Sequence, residues 1–181
     1  MYIAINRGFT LIELLVTVSV ASILLAVAAP SYRTFVQDNQ LTAQSDTFFS
    51  AMMLAKSEAV TRNGPVTICP SIDGTSCAVS AALGAVWTNG WLVFADVNGD
   101  GIADAIEIIR VGTALPGQST LTSPKSKKVI FAASGTTLGF NDTFALCDDR
   151  GSAQSRILVL SNQGGLRTDK GVVGTCPSTA N

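Results

Sequence analysis

Glu13 is the single ionisable side chain between Phe9 and Ala29. A carboxylate in so apolar a run costs ~3 kcal/mol to place in hydrocarbon unless a positive group or a hydrogen-bond donor meets it. Glu13 therefore needs a partner. The residue types that would make the chain a catalyst are largely missing. Histidine is absent, which removes the commonest general base, the Ser-His and Cys-His nucleophile pairs and the most frequent zinc ligand. The acid pair Asp148-Asp149 has no identifiable nucleophile or base to work with, so the chain reads as something other than an enzyme.

A second grouping of oxygens runs from Asp96 through Asn98, Asp100 and Asp104 to Glu107. This spacing matches the loop that wraps calcium in EF-hands, in which side-chain oxygens at fixed intervals surround the ion. The flanking segments, Trp91 to Ala95 and Ile106 to Val111, look like strands rather than helices. Asn98-Gly99-Asp100-Gly101 is also a ready hairpin turn in its own right. The expectation is a turn with no metal and no cofactor, calcium being the ion that the spacing suits.

Four cysteines, Cys69, Cys77, Cys147 and Cys176, complete the reactive inventory. Without histidine or a Cys-x-x-Cys pair, metal ligation is the weaker reading and disulfides the stronger. Three pairings are open to four cysteines. Proximity favours Cys69 with Cys77 across a short loop, and Cys147 with Cys176 tying down the C-terminal segment.

These residues need elements to hold them. Phe9 to Ala29 spans roughly 30 Å as a helix, the thickness of a bilayer's hydrocarbon core, and accounts for a mean hydropathy of +0.37. A secretory signal would be shorter and end at small residues, for which Ala26, Ala28 and Ala29 are candidates. Against that, the run contains Glu13, and the helical pattern continues past Pro30. Arg7 favours a cytoplasmic start with the rest of the chain outside.

From Ser31 to Arg62 there is neither Gly nor Pro, and Leu41, Phe48, Met52, Ala55 and Ala59 recur at helical spacing. Asn63-Gly64-Pro65 ends the pattern. One helix of about 80 Å is expected from Phe9 to Arg62, bending at Pro30, where one backbone hydrogen bond is lost. Strand signals follow at Val66 to Cys69, Trp91 to Ala95, Ile106 to Val111, Lys128 to Phe131, Thr137 to Phe140 and Arg156 to Leu160. Ser119 to Lys128, with Pro124 and its lysines, reads as a surface loop.

The fold class is thus α+β, an antiparallel sheet packed on the second half of a long helix. The expected organisation is a leader at 1–8, a membrane helix at 9–30, the amphipathic half of the same helix at 31–64 and a β-rich head at 65–181. Twelve Lys and Arg against thirteen Asp and Glu give a net charge of -1, so no broad field draws in nucleic acid.

Arg7-Gly8-Phe9-Thr10-Leu11-Ile12-Glu13-Leu14-Leu15-Val16 resembles the class III signal of type IV pilins and type II secretion pseudopilins. The resemblance implies cleavage between Gly8 and Phe9 by a membrane prepilin peptidase, with N-methylation of Phe9. It also supplies a partner for Glu13, the new Phe9 amine of a neighbouring subunit in a bundle of helices. Pairing with its own terminus one turn away, or with backbone N–H groups, is the alternative.

The head is similar to the GspH/FimT-like branch of minor pilins through four stretches. These are Lys56-Ser57-Glu58-Ala59-Val60-Thr61-Arg62, Gly90-Trp91-Leu92-Val93-Phe94, Glu107-Ile108-Ile109-Arg110-Val111 and Ser161-Asn162-Gln163-Gly164. Carried over, the resemblance implies a minor pilin that primes pilus assembly, at the tip, with other minor and major pilins and the inner-membrane assembly platform as partners. The equivalent pseudopilin of a type II secretion system shares the same plan. Some FimT-type pilins bind DNA through a Gly-Arg-x-Arg tail. Here the matching stretch is Gly164-Gly165-Leu166-Arg167, which leaves Arg167 and Lys170 with Asp169 between them, too little charge to favour DNA.

Overall fold

The computed structural model describes residues 8–78, 85–125, 127–171 and 176, so Arg7 and the rest of the expected leader ahead of Gly8 lie outside the described residues. The chain divides into two units, 1–39 and 40–181. One helix, α1 (Leu11–Arg62), contributes to both and contains Pro30.

In the first unit every residue from Gly8 to Val36 is exposed, and the apolar stretch is long enough to cross a membrane once. Three of the hydroxyls on this stretch are met locally. Thr17, Ser19 and Ser22 donate to the carbonyls of Leu14, Val16 and Val18 at 2.9, 2.8 and 2.7 Å, so none brings an unmet donor into an apolar solvent.

In the second unit α1 buries a stripe of Leu41, Gln44, Ser45, Phe48, Ala51, Met52, Ala55 and Ala59. Steps of three and four place them on one face. The small residues Ala51, Ala55 and Ala59 let the sheets approach closely. The helix ends in a Schellman closure, with the Asn63 N–H donating to Val60 O at 3.3 Å and the Gly64 N–H to Ala59 O at 3.2 Å. Asn63 takes the left-handed conformation this requires, φ 52°.

Two antiparallel sheets pack here. The first has order β4-β3-β1-β6, from β1 (Val66–Pro70), β3 (Trp91–Ala95), β4 (Ile108–Gly112) and β6 (Val129–Phe131). The second has order β2-β5-β7-β8-β9, from β2 (Ala85–Val86), β5 (Thr120–Ser123), β7 (Asp142–Cys147), β8 (Arg156–Leu160) and β9 (Leu166–Lys170). The α+β class holds.

Several expected elements move. Thr137 to Phe140 is not a strand: Thr137 alone bridges to Phe131, and its hydroxyl folds back onto Phe140 O at 2.7 Å. The strand lies just beyond, at β7. Within the expected Ser119 to Lys128 loop, Thr120–Ser123 forms β5, because its alternate side chains Leu121 and Ser123 point inward and Ser123 bonds the buried Asp142 carboxylate. Gly164 to Lys170, read against a flexible tail, is the β8–β9 turn and an edge strand paired with β8 from Leu160↔Leu166 to Arg156↔Lys170.

Phe48 is the centre of the core. Its ring lies 5.4 Å from Trp87, 5.3 Å from Trp91 and 5.2 Å from Phe144, and Trp87 meets Phe144 at 5.4 Å. These rings join the helix to both sheets, the tryptophan pairs edge-to-face and the Phe48–Phe144 pair tilted at 60°. Phe48→Ala is expected to destabilise the 40–181 unit by about 3–5 kcal/mol, read as a lower denaturant midpoint by fluorescence of the two tryptophans in the cluster.

Candidate processing site and head surface

The Gly8–Phe9 bond lies ahead of the first helical residue, Leu11, with both residues exposed. A Cβ built on Gly8 meets nothing within 4 Å, so the fold does not require glycine there. Thr10 starts the helix: its hydroxyl accepts the Glu13 N–H at 3.3 Å and its carbonyl accepts the Leu14 N–H at 3.1 Å. Thr10-Leu11-Ile12-Glu13 thus has the spacing of a capping box, with Glu13 at its fourth position. The carboxylate sits in the first turn, where the helix dipole favours negative charge.

In the head, β1 and β3 are buried along their whole length. Alternate residues explain this. Ile68, Val93 and Trp91 face the helix core, whereas Cys69, Leu92 and Phe94 face the other way and are covered by Cys77, Ala103 and Ile108. Two loops form that cover. The first is closed by the Cys69–Cys77 disulfide, and the second is the acidic turn between β3 and β4. A second disulfide joins Cys147, at the end of β7, to Cys176.

The acidic turn organises itself around Glu107. This carboxylate, 6% exposed, accepts N–H groups from Val97 at 2.8 Å and from Asn98 and Asp104 at 3.4 Å. Asp96 accepts the Gly101 N–H at 3.1 Å, and Asp100 the Ile102 N–H at 2.7 Å. The Asn98 amide donates to Asp100 at 2.9 Å and to Asp104 at 3.3 Å. All five side chains of the calcium-like pattern thus share one turn, held by backbone donors and an amide. β4 starts at Ile108, later than the expected Ile106, because Glu107 turns inward and the β3–β4 register shifts between Val93 and Phe94.

Asp73 plays the corresponding part in the disulfide loop. It accepts the Thr75 and Ser76 N–H groups at 2.9 Å and the Ser76 hydroxyl at 2.8 Å. Those donors, the backbone N–H of Thr75 first, hold its carboxyl well below the usual carboxylate range.

Two motif stretches far apart in sequence meet in space. Lys56 Nζ donates to Gly164 O at 2.9 Å, linking α1 to the β8–β9 turn. Thr137 N–H and hydroxyl both reach Asn162 O at 3.1 Å. Gly164 has φ 71°, and a Cβ on it would stand 2.0 Å from Gly135 O, so only glycine fits this junction. The contact was missed in the sequence because its members are 108 residues apart. Asp148 is held by Arg150 at 2.7 Å, and Arg167 lies on β9 with Nε 3.4 Å from Asp169, while Lys170 ends that strand.

A family model described as type II transport protein GspH matches residues 44–164, and one described as the prokaryotic N-terminal methylation motif matches residues 4–29. Among solved structures, the type IV minor pilin FimU of Pseudomonas aeruginosa is similar at 21% identity with a TM-score of 0.60, covering 75% of this chain and 92% of that one. A second crystal form of FimU gives 18%, 0.55, 71% and 92%. The minor pseudopilin EpsH of the Vibrio cholerae type 2 secretion system gives 12%, 0.53, 72% and 97%. A comparison with curated proteins finds no significant match.

The Asp73 carboxyl gives a pH prediction. Its folded value is depressed, so its contribution is complete above the ordinary Asp value of about 3.9 and is lost as pH falls below it toward the folded value. Ser76→Ala removes one hydroxyl donor and is expected to move the Asp73 carboxyl titration upward, followed by carbon-13 NMR of the carboxyl group.

Proposed function

The chain belongs to the GspH family of type II transport proteins, matched over residues 44–164, and from that premise we propose that it is a minor pilin that primes assembly of a type IV pilus at its tip. Cleavage between Gly8 and Phe9 and methylation of Phe9 would release the subunit from its leader. The head lies in the periplasm on this reading, with α1 crossing the inner membrane until the subunit enters the filament. Its partners are then the other minor and major pilins, the prepilin peptidase and the assembly platform. The observation that carries the reading is one contiguous N-terminus: a methylation motif at 4–29 that coincides with an apolar run, Phe9 to Ala29, whose lone acid is Glu13.

Glu13 sets axial register in this scheme by meeting the Phe9 amine of a neighbour. The pairing replaces a desolvation cost of ~3 kcal/mol with an ion pair in a medium of low polarity. No catalysis and no cofactor are part of the reading; the acidic turn works as a cover for β1 and β3. Nor is DNA binding, since Asp169 offsets Arg167 before a phosphate arrives.

A second reading is a minor pseudopilin of a type II secretion system. It is favoured by the family description and by the likeness to EpsH, whereas FimU, a type IV minor pilin, supports the first.

Two measurements test the proposal. Glu13→Ala is expected to be cleaved normally by mass spectrometry, yet to enter sheared filaments at about a tenth of the wild-type level or less, the scale of a lost membrane ion pair. Wild-type incorporation would remove Glu13 from assembly. Deletion of the gene should abolish surface filaments in electron micrographs; filaments that persist while protein secretion fails would move the chain to the pseudopilus.

A further inference from the structure

Beyond Pro30 the surface of α1 changes character. From Phe9 to Ala29 the apolar side chains lie all round the helix. From Ser31 onward they keep to one side. At helical spacing Tyr32, Phe35 and Val36 share a face, in line with Leu25, Ala28 and Ala29 in the two turns before. The opposite arc holds Ser31, Arg33, Thr34, Gln37 and Asp38. Tyr32, Phe35 and Val36 are 69, 63 and 42% exposed, so nothing among the described residues covers their face.

The charges on this stretch are sparse and ordered. Between Glu13 and Asp38 the sequence has no acid, and between Arg7 and Lys56 its one cation is Arg33. Arg33 is exposed and makes no ion pair among the described residues. Two neighbouring side chains are met within the helix. The Thr34 hydroxyl donates to Pro30 O at 3.2 Å, and the Asn39 amide to Phe35 O at 2.7 Å.

Distance along the helix gives this pattern a meaning. At 1.5 Å per residue, Tyr32 to Val36 stand about 5–10 Å past Ala29, and Arg33 about 6 Å past it. The headgroup layer on each side of a bilayer is about 5–8 Å deep. Asp38, about 14 Å past Ala29, lies beyond that layer. Apolar run, then aromatic rings with a cation, then acid is the order of hydrocarbon, headgroups and water. Amphipathic rings concentrate at the headgroup level, and a guanidinium pairs with phosphate through two parallel hydrogen bonds.

We propose that Tyr32, Arg33, Phe35 and Val36 form a band that binds phospholipid headgroups of the outer leaflet. The Arg33 guanidinium takes a lipid phosphate, and the face of Tyr32, Phe35 and Val36 lies against the acyl boundary. The band fixes the depth of the helix. Sinking drives the Arg33 charge into hydrocarbon, and rising exposes the rings to water. A second copy of α1 at the same depth offers Arg33 another Arg33, and like charges repel, whereas a headgroup brings an anion to that level. The inference rests on the reading of α1 as an inner-membrane span.

Depth is read directly by NMR of nitrogen-15-labelled full-length protein in bicelles containing phosphatidylglycerol and a lipid with gadolinium on its headgroup. Relaxation enhancement of the α1 amides is expected to be least near Ser19, mid-way along the apolar run, and to peak on the outer side over 32–36. The combined Tyr32→Ser, Arg33→Gln and Phe35→Ser variant should move that peak by about two residues or more, ~3 Å along the helix. Unchanged amide resonances within 40–181 show that its head still folds. A peak outside 32–36, or one that stays in place in the variant, would overturn the band and leave the span intact. A profile with no minimum would remove the span as well. Benzoylphenylalanine at position 35, in cells without the assembly platform, should crosslink to phospholipid, read as a lipid mass added to the α1 peptide. Crosslinks to another subunit alone would refute lipid as the occupant of this face.

Discussion

One helix must satisfy two solvents, and the rest of the molecule follows from that constraint. Over Leu11 to Ala29 α1 is exposed on every side, an apolar surface that suits hydrocarbon surroundings. From Leu41 to Ala59 it offers a single buried stripe, which is stable only where sheets cover it. Phe48, on that stripe, is the residue through which Trp91 of the first sheet, Phe144 of the second, and Trp87, next to β2 of the second, meet the helix.

Around this axis the head divides its labour. The inner faces of the sheets bury aromatic and aliphatic side chains, whereas the outer face of β1 and β3 is closed by two loops that carry their own internal scaffolds. Glu107 gathers three backbone N–H groups in one loop, and Asp73 gathers two in the other. Each carboxylate converts a floppy connection into a fixed lid, because charge-assisted bonds to N–H groups are stronger than neutral ones. The disulfide between Cys69 and Cys77 ties the second lid to the strand it covers.

The long-range plan was legible in the residues, and the particular edges were not. The helix ended at Arg62 as its Gly- and Pro-free run suggested, and β3 and β8 matched their expected bounds, because both are short apolar runs bounded by turns. β5 and β9 escaped for the opposite reason. Thr120-Leu121-Thr122-Ser123 and Leu166-Arg167-Thr168-Asp169-Lys170 are polar on one side, and their strand character comes from pairing with β7 and β8 rather than from their own composition. Likewise Lys56 and Gly164 were each visible in a motif, but nothing local in either stretch announces that an ammonium on the helix will close the β8–β9 turn. Periodicity reports what a segment buries, not whom it meets.

The hydroxyls of Thr17, Ser19 and Ser22 return to carbonyls of their own helix. As a result these three side chains leave no unmet donor on the apolar stretch. Among the described residues of that stretch the acid at position 13 is the exception, since it carries charge that its own hydroxyls do not neutralise. On the proposed reading, resting in lipid and meeting a neighbour would thus fall to different side chains of the same segment, and the passage from one to the other would turn on a single charge.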